Sequence, residues 1–116
     1  MRILMVGDVV GKPGRKAISV VLPELREKHE IDLIVANGEN AAGGIGLTPE
    51  TAQELFQSGV DVITSGNHIW HHKEIVPYIE NEPRILRPLN MPPGVPGQGY
   101  IITDKAMIVS LLARVF

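Results

Sequence analysis

Three short polar clusters each follow a glycine: Gly7-Asp8, Gly38-Glu39-Asn40 and Gly66-Asn67-His68. Together they offer two carboxylates, two amide oxygens and one imidazole. Two carboxylates confined to one cleft repel, and one takes up a proton unless a cation lies between them. Asp8, Glu39, Asn40 and Asn67 are oxygen donors, a set that suits magnesium, manganese or iron better than a thiolate-seeking ion. His68 adds a group that exchanges a proton near neutral pH. The plainer alternative is that Asp8 and Asn67 cap the turns after their strands, as such residues often do. Spacing alone leaves both readings open.

Other residues are weaker candidates. The stretch "SGNHIWHHKEI" carries His68, His71 and His72 close together. His71 and His72 read as bystanders at the start of a helix whose apolar face is Ile75, Val76 and Ile79, and His29 reads as solvent-facing. Trp70 either stacks on a base or packs beside the site. The run Gly7 to Arg15 looks like a phosphate loop, but a Walker A motif has four residues between its glycines and Ser or Thr after its lysine. Here the gap is three residues and Pro13 follows Lys12, so that motif is rejected. A glycine turn leading into a helix beside Lys12 and Arg15 remains a weak phosphate-binding candidate, set against a plain strand-to-helix turn with solvated cations. Ala41-Ala42-Gly43-Gly44-Ile45-Gly46 suggests a close-approach loop and nothing sharper.

The elements that must position these groups follow from apolar runs and their stops. Arg2 to Val6, Asp32 to Asn37 and Val60 to Thr64 read as buried strands, each ended by one of the glycine clusters. Helical spacing of Ala17, Ile18, Val21, Leu22 and Leu25 predicts a helix over Pro13 to His29, kinked or split by Pro23. Thr48 as N-cap, Pro49 at the first helical position and Gly59 as stop predict a second helix. A third is expected over His71 to Glu80, then a brief strand at Ile85 to Arg87. This alternation implies right-handed crossovers and a parallel sheet with helices on its faces. Ligands of such a sheet bind beyond the carboxyl ends of its strands, where all three clusters lie. Past the turn-rich Pro92 to Gly97, strands over Tyr100 to Thr103 and Met107 to Leu112 complete the pattern.

The 116 residues have the length of one domain, and 44% apolar with 21% charged residues is the balance of a globular protein. Apolar runs fall far short of the roughly 20 residues that span a bilayer, so no membrane segment is expected. No secretory signal is expected from the N-terminal residues and no cysteine is present, which makes the cytoplasm the expected location. A net charge of -2 without a basic run speaks against duplex nucleic acid as a partner. The chain stops at Ala113-Arg114-Val115-Phe116, directly after an apolar strand. A domain cut short is the expectation, with Ile108 to Phe116 as an edge prone to association, including a homo-oligomer.

With these clusters assembled, the chain resembles the YmdB-like branch of the calcineurin-like metallophosphoesterases. "MRILMVGDVVGKPGR", "NGENAAGGIGLT" and "SGNHIW" are similar to that branch's signatures in order and spacing, and "IVSLLARVF" to the strand before its second half. The resemblance covers this whole chain but only part of the family's length. It implies a phosphodiesterase acting on 2',3'-cyclic nucleotides or similar small phosphodiesters with two divalent metal ions. The implied fold is α/β, this chain being the N-terminal half of a four-layer α/β/β/α sandwich with a mainly parallel first sheet. By the same resemblance Asp8 and Asn40 hold one metal, Glu39 bridges both, Asn67 holds the second and His68 is the proton donor. The wider superfamily has a histidine where this chain has Val10, a departure the branch shares. The family's remaining ligands are histidines of the second half, and this chain has none beyond His72, so the second metal site is expected to be incomplete. The alternative is a noncatalytic α/β domain that binds a phosphate-bearing ligand through Gly11 to Arg15.

Overall fold

In a computed structural model, residues 1–113 are described. Four strands, β1 (Ile3–Val6), β2 (Leu33–Asn37), β3 (Val62–Thr64) and β4 (Ile85–Leu86), lie side by side in that order, each neighbouring pair parallel. Between them run α1 (Gly11–Lys28), α2 (Pro49–Gln57) and, after a 3-10 turn over Asn67–Trp70, α3 (Ile75–Asn81). Each crossover steps one strand over in the same direction, so right-handed connections put every helix on the same side. Ile18 and Leu22 of α1, Ala52 and Leu55 of α2, and Ile75 and Ile79 of α3 accordingly share one core with Ile34, Ala36, Ile63 and Ile85. The consecutive strand order thus puts all three helices on one face, in keeping with a helix layer outside the first sheet.

The other face is covered by a hairpin of β5 (Tyr100–Ile102) and β6 (Met107–Val109), antiparallel and joined by a turn in which Thr103 N–H donates to the Ala106 carbonyl at 2.9 Å. Ile101, Ala106 and Ile108 pack on Leu33, Val35, Val62 and Leu86. The layers are therefore helices, four-stranded sheet and two-stranded sheet. Alternation places Tyr100, Ile102, Met107 and Val109 on the outer face of the hairpin, where all four are exposed. It also leaves Ile3 and Met5 of β1 exposed, beyond the hairpin's reach, so β1 is not the buried strand its composition suggests.

Several boundaries shift for identifiable reasons. The first helix begins at Gly11 rather than Pro13 and runs without a break through Pro23. Ser19, whose carbonyl loses its partner at Pro23, is exposed, so water can satisfy it while Ile18 and Leu22 hold the helix to the core. Helix α2 forms as expected: Thr48 Oγ1 accepts from the Thr51 amide at 3.2 Å, Thr51 Oγ1 accepts from the Thr48 amide at 3.0 Å, and Gly59 follows the end with φ 106. The third helix starts only at Ile75, because the chain leaving the site first makes the 3-10 turn and a bend over His71–Glu74. Arg87 lies outside β4, and β6 ends at Val109. Of the apolar ending, Arg114 to Phe116 lie outside the described residues. Arg84 stacks over the Phe56 ring at 3.9 Å and bonds Glu82, whose carboxyl that guanidinium holds below the usual carboxylate range. This fastens α2 to the turn before β4. Among the described residues no helix is long and apolar enough to cross a membrane.

Two buried hydroxyls tie the layers together at the end of β3. Ser65 Oγ donates to the Leu86 carbonyl at 2.7 Å, and Ser110 Oγ donates to the Ser65 carbonyl at 2.9 Å. Ser65 directly precedes Gly66-Asn67-His68, so the hairpin layer braces that cluster. Ser110→Ala leaves a buried carbonyl without its donor and is expected to lower unfolding free energy by about 1 kcal/mol, read by urea titration.

Candidate functional site

Backbone hydrogen bonds bring the three strand ends into one row. After β1, the Val9 amide donates to Asn37 O at 3.1 Å and the Gly11 amide to Asn40 O at 2.9 Å. After β2, the Gly38 amide donates to Thr64 O at 3.0 Å. Asp8, Glu39-Asn40 and Asn67-His68 thus emerge together at the carboxyl edge of the sheet.

Their side chains form a continuous chain of contacts across all three strands. Asn40 Nδ2 donates to Asp8 Oδ1 at 2.9 Å, and Asn40 Oδ1 lies 2.6 Å from His68 Nδ1. An amide oxygen only accepts, so His68 Nδ1 carries the proton in that bond. Glu39 Oε2 lies 3.6 Å from the same Nδ1 and receives the His68 amide at 3.4 Å. The Asn37 side chain grips Glu39 from the other side: its Nδ2 donates to Glu39 Oε1 and its Oδ1 accepts from the Glu39 amide, both at 3.3 Å. Gly66 leaves room for the Glu39 carboxylate. A Cβ there would lie 2.5 and 2.6 Å from the two Glu39 carboxylate oxygens.

Asp8 and Asn67 are exposed, whereas the Glu39 side chain is only 19% exposed against 41% for His68. Solvent therefore reaches the imidazole more freely than the carboxylate that partners it. Among the described residues no three His, Asp or Glu side chains converge on one point. Any cation here relies on amide oxygens beside the Asp8 and Glu39 carboxylates, a donor set that fits a hard divalent ion. Asn40 presents its nitrogen to Asp8 and its oxygen to His68. Its amide must turn over to share a cation with Asp8.

The two cations of the glycine turn stand apart from this group. Arg15 Nε bonds Glu54 Oε2 at 2.6 Å and its NH1 donates to Ala41 O at 2.5 Å. Its guanidinium braces α2 and the start of the Ala41–Gly46 loop. Lys12 is exposed and opens on the groove between α1 and α2, a cavity of about 440 Å³ lined also by Lys16, Ser19 and Gln57. His29 is exposed just beyond α1, and His71 is exposed while His72 Nε2 lies 3.0 Å from Ile45 O. Sequence reasoning missed Asn37 and His72. Asn37 had a local signal, since an Asn two residues before a polar group commonly bonds that residue's backbone. His72 had none.

Comparison with known proteins finds relatives that match nearly the whole of this chain. A family model described as "YmdB-like protein" matches residues 4–116. The chain is 44% identical over 120 aligned positions to the 2',3'-cyclic-nucleotide 2'-phosphodiesterase of Bacillus subtilis, covering all of this chain and 46% of that protein. The crystal structure of a hypothetical protein from Thermus thermophilus superposes with a TM-score of 0.89 at 42% identity, over 98% of this chain and 46% of that one. A phosphatase structure from Mycoplasma pneumoniae superposes with a TM-score of 0.86 at 35% identity, over 96% and 42%. The chain thus spans less than half the length of each of these relatives. A family match over nearly every residue, with the same fold at this identity, settles the relationship: the chain belongs to the YmdB-like family.

Proposed function

We propose that this chain carries part of the active site of a metal-dependent phosphodiesterase acting on small phosphodiesters such as 2',3'-cyclic nucleotides. The observation that carries the reading is the contact chain Asp8–Asn40–His68–Glu39, which joins three strand ends at the edge where parallel sheets bind ligands. The Bacillus relative, named as a phosphodiesterase of that substrate class, supports it.

Asp8, Glu39, Asn40 and Asn67 would hold the divalent cations, iron, manganese or magnesium. A divalent cation bound there supplies Lewis-acid polarisation of the phosphoryl group and a water made acidic enough to attack at neutral pH. The remaining chemistry belongs to the chain. With His68 Nδ1 facing the Glu39 carboxylate at 3.6 Å, Nε2 is the nitrogen that gives a proton. Water gives up one proton to solvent as its oxygen bonds to phosphorus, the ester bond to the ribose oxygen breaks, and the alkoxide leaves with the proton from Nε2. The Glu39 carboxylate, 3.6 Å from Nδ1, holds the ring in place.

The test uses the 116-residue chain with added Mn2+. Metal uptake measured by electron paramagnetic resonance and slow, EDTA-sensitive hydrolysis of 2',3'-cyclic AMP are expected. Asp8→Ala should weaken Mn2+ binding by at least about tenfold. A chain that takes up no Mn2+ and opens no cyclic phosphodiester would overturn the reading.

A further inference from the structure

We infer that His72 is a positioning residue of this site, holding the loop from Glu39 to Gly46 through the Ile45 carbonyl. The inference deepens the function proposed above and rests on it. The loop cannot fix itself, because Gly43 and Gly44 are exposed and both have positive φ, 65 and 99. Such residues lose the most conformational freedom when ordered. Its internal bonds are backbone only: the Gly46 amide donates to Glu39 O at 2.5 Å and the Ala42 amide to Gly46 O at 2.9 Å. These close a ring that begins at the Glu39 backbone, so whatever fixes Gly46 also fixes the base from which the Glu39 carboxylate projects.

His72 supplies that outside grip. Its Nε2 lies 3.0 Å from Ile45 O, which only accepts, so Nε2 carries the proton. The ring is set edge-on to His71, centroids 4.9 Å apart and planes at 86°. It also lies close against Gly46, where a Cβ would sit 2.6 Å from His72 Cδ2 and 2.9 Å from His71 Cβ. The segment after β3 therefore holds the loop after β2 twice, through His68 on the Glu39 and Asn40 side chains and through His72 on the loop's far end.

The test compares His72→Ala with His72→Gln, whose side-chain amide can donate to the same carbonyl. In the 15N-labelled chain, His72→Ala should speed amide exchange at Ala42 and Gly46 by about tenfold, the worth of one such hydrogen bond. It should also shift the Asn40 side-chain amide resonances, while the Ile34 and Ile63 amides in the central strands keep their protection. His72→Gln should restore both readouts to within about twofold of the parent. Unchanged exchange in His72→Ala, or identical behaviour of the two variants, overturns the role of His72. Neither readout needs turnover, so an inactive chain would count against the proposed function alone.

Discussion

His68→Ala is expected to lower phosphodiester turnover by a factor of about 10²–10⁴, the usual contribution of a positioned general acid, while leaving Mn2+ content nearly unchanged. The reason lies in which nitrogen is free. Nδ1 bonds Asn40 Oδ1 at 2.6 Å and stands 3.6 Å from Glu39 Oε2, so it orients the ring. In the proposed mechanism Nε2 would deliver the proton. Alanine removes both functions, and its loss alone does not tell them apart. His68→Asn separates them, because an asparagine amide can occupy the position of Nδ1 and face Glu39 but has nothing in place of Nε2. The asparagine variant should lose as much kcat as alanine, keep its KM and keep its metal. Retention of kcat in His68→Asn, or equal loss of metal and turnover in His68→Ala, would sink the proton-donor role.

How far the site could be read from sequence depends on whether a partner is local. Asp8, Glu39, Asn40 and His68 were legible because each follows a glycine that stops an apolar run, and parallel strands carry such stops to one edge. Thr48 and Pro49 start α2 as read, because a capping box is complete within four residues. The helix after β1 was misplaced because Gly11, at φ 58, begins it in a conformation that sequence does not announce. Arg15 looked like a free cation beside a glycine turn. Its partner, Glu54, lies on the next helix, and that ion pair exists only once α1 and α2 have packed. His72 is similar, since the carbonyl it meets belongs to a residue 27 positions away. The exposed outer face of β5 and β6 was hidden for a different reason. Its residues are as apolar as those of a core strand, and only the observed register shows Ile101 and Ile108 facing inward while Tyr100, Ile102, Met107 and Val109 face out.

The three glycines that precede the site look equivalent in sequence and should behave differently when each is changed to alanine. At Gly7 a Cβ meets nothing within 4 Å, so Gly7→Ala should keep stability and metal binding. At Gly38 the Cβ would lie 2.8 Å from Ile63 Cγ2 and 3.3 Å from Leu55 Cδ1, inside the helical core. Overpacking of that kind costs about 1–3 kcal/mol, and Gly38→Ala should show it in urea unfolding. Gly66 differs from both. Its φ of -127 suits any residue, so alanine strains no backbone there. Its Cβ would instead fall 2.5 and 2.6 Å from the Glu39 oxygens. A carboxylate at the end of a flexible side chain can swing away at little cost to folding, but in doing so it leaves Asn37, His68 and any cation it shares. Gly66→Ala should therefore unfold close to the parent while losing about 10- to 100-fold in Mn2+ affinity, the range seen when groups that orient a ligand are disturbed. Loss of stability without loss of Mn2+ affinity would mean that Glu39 holds no metal, because the one change forced on the structure is the displacement of its carboxylate.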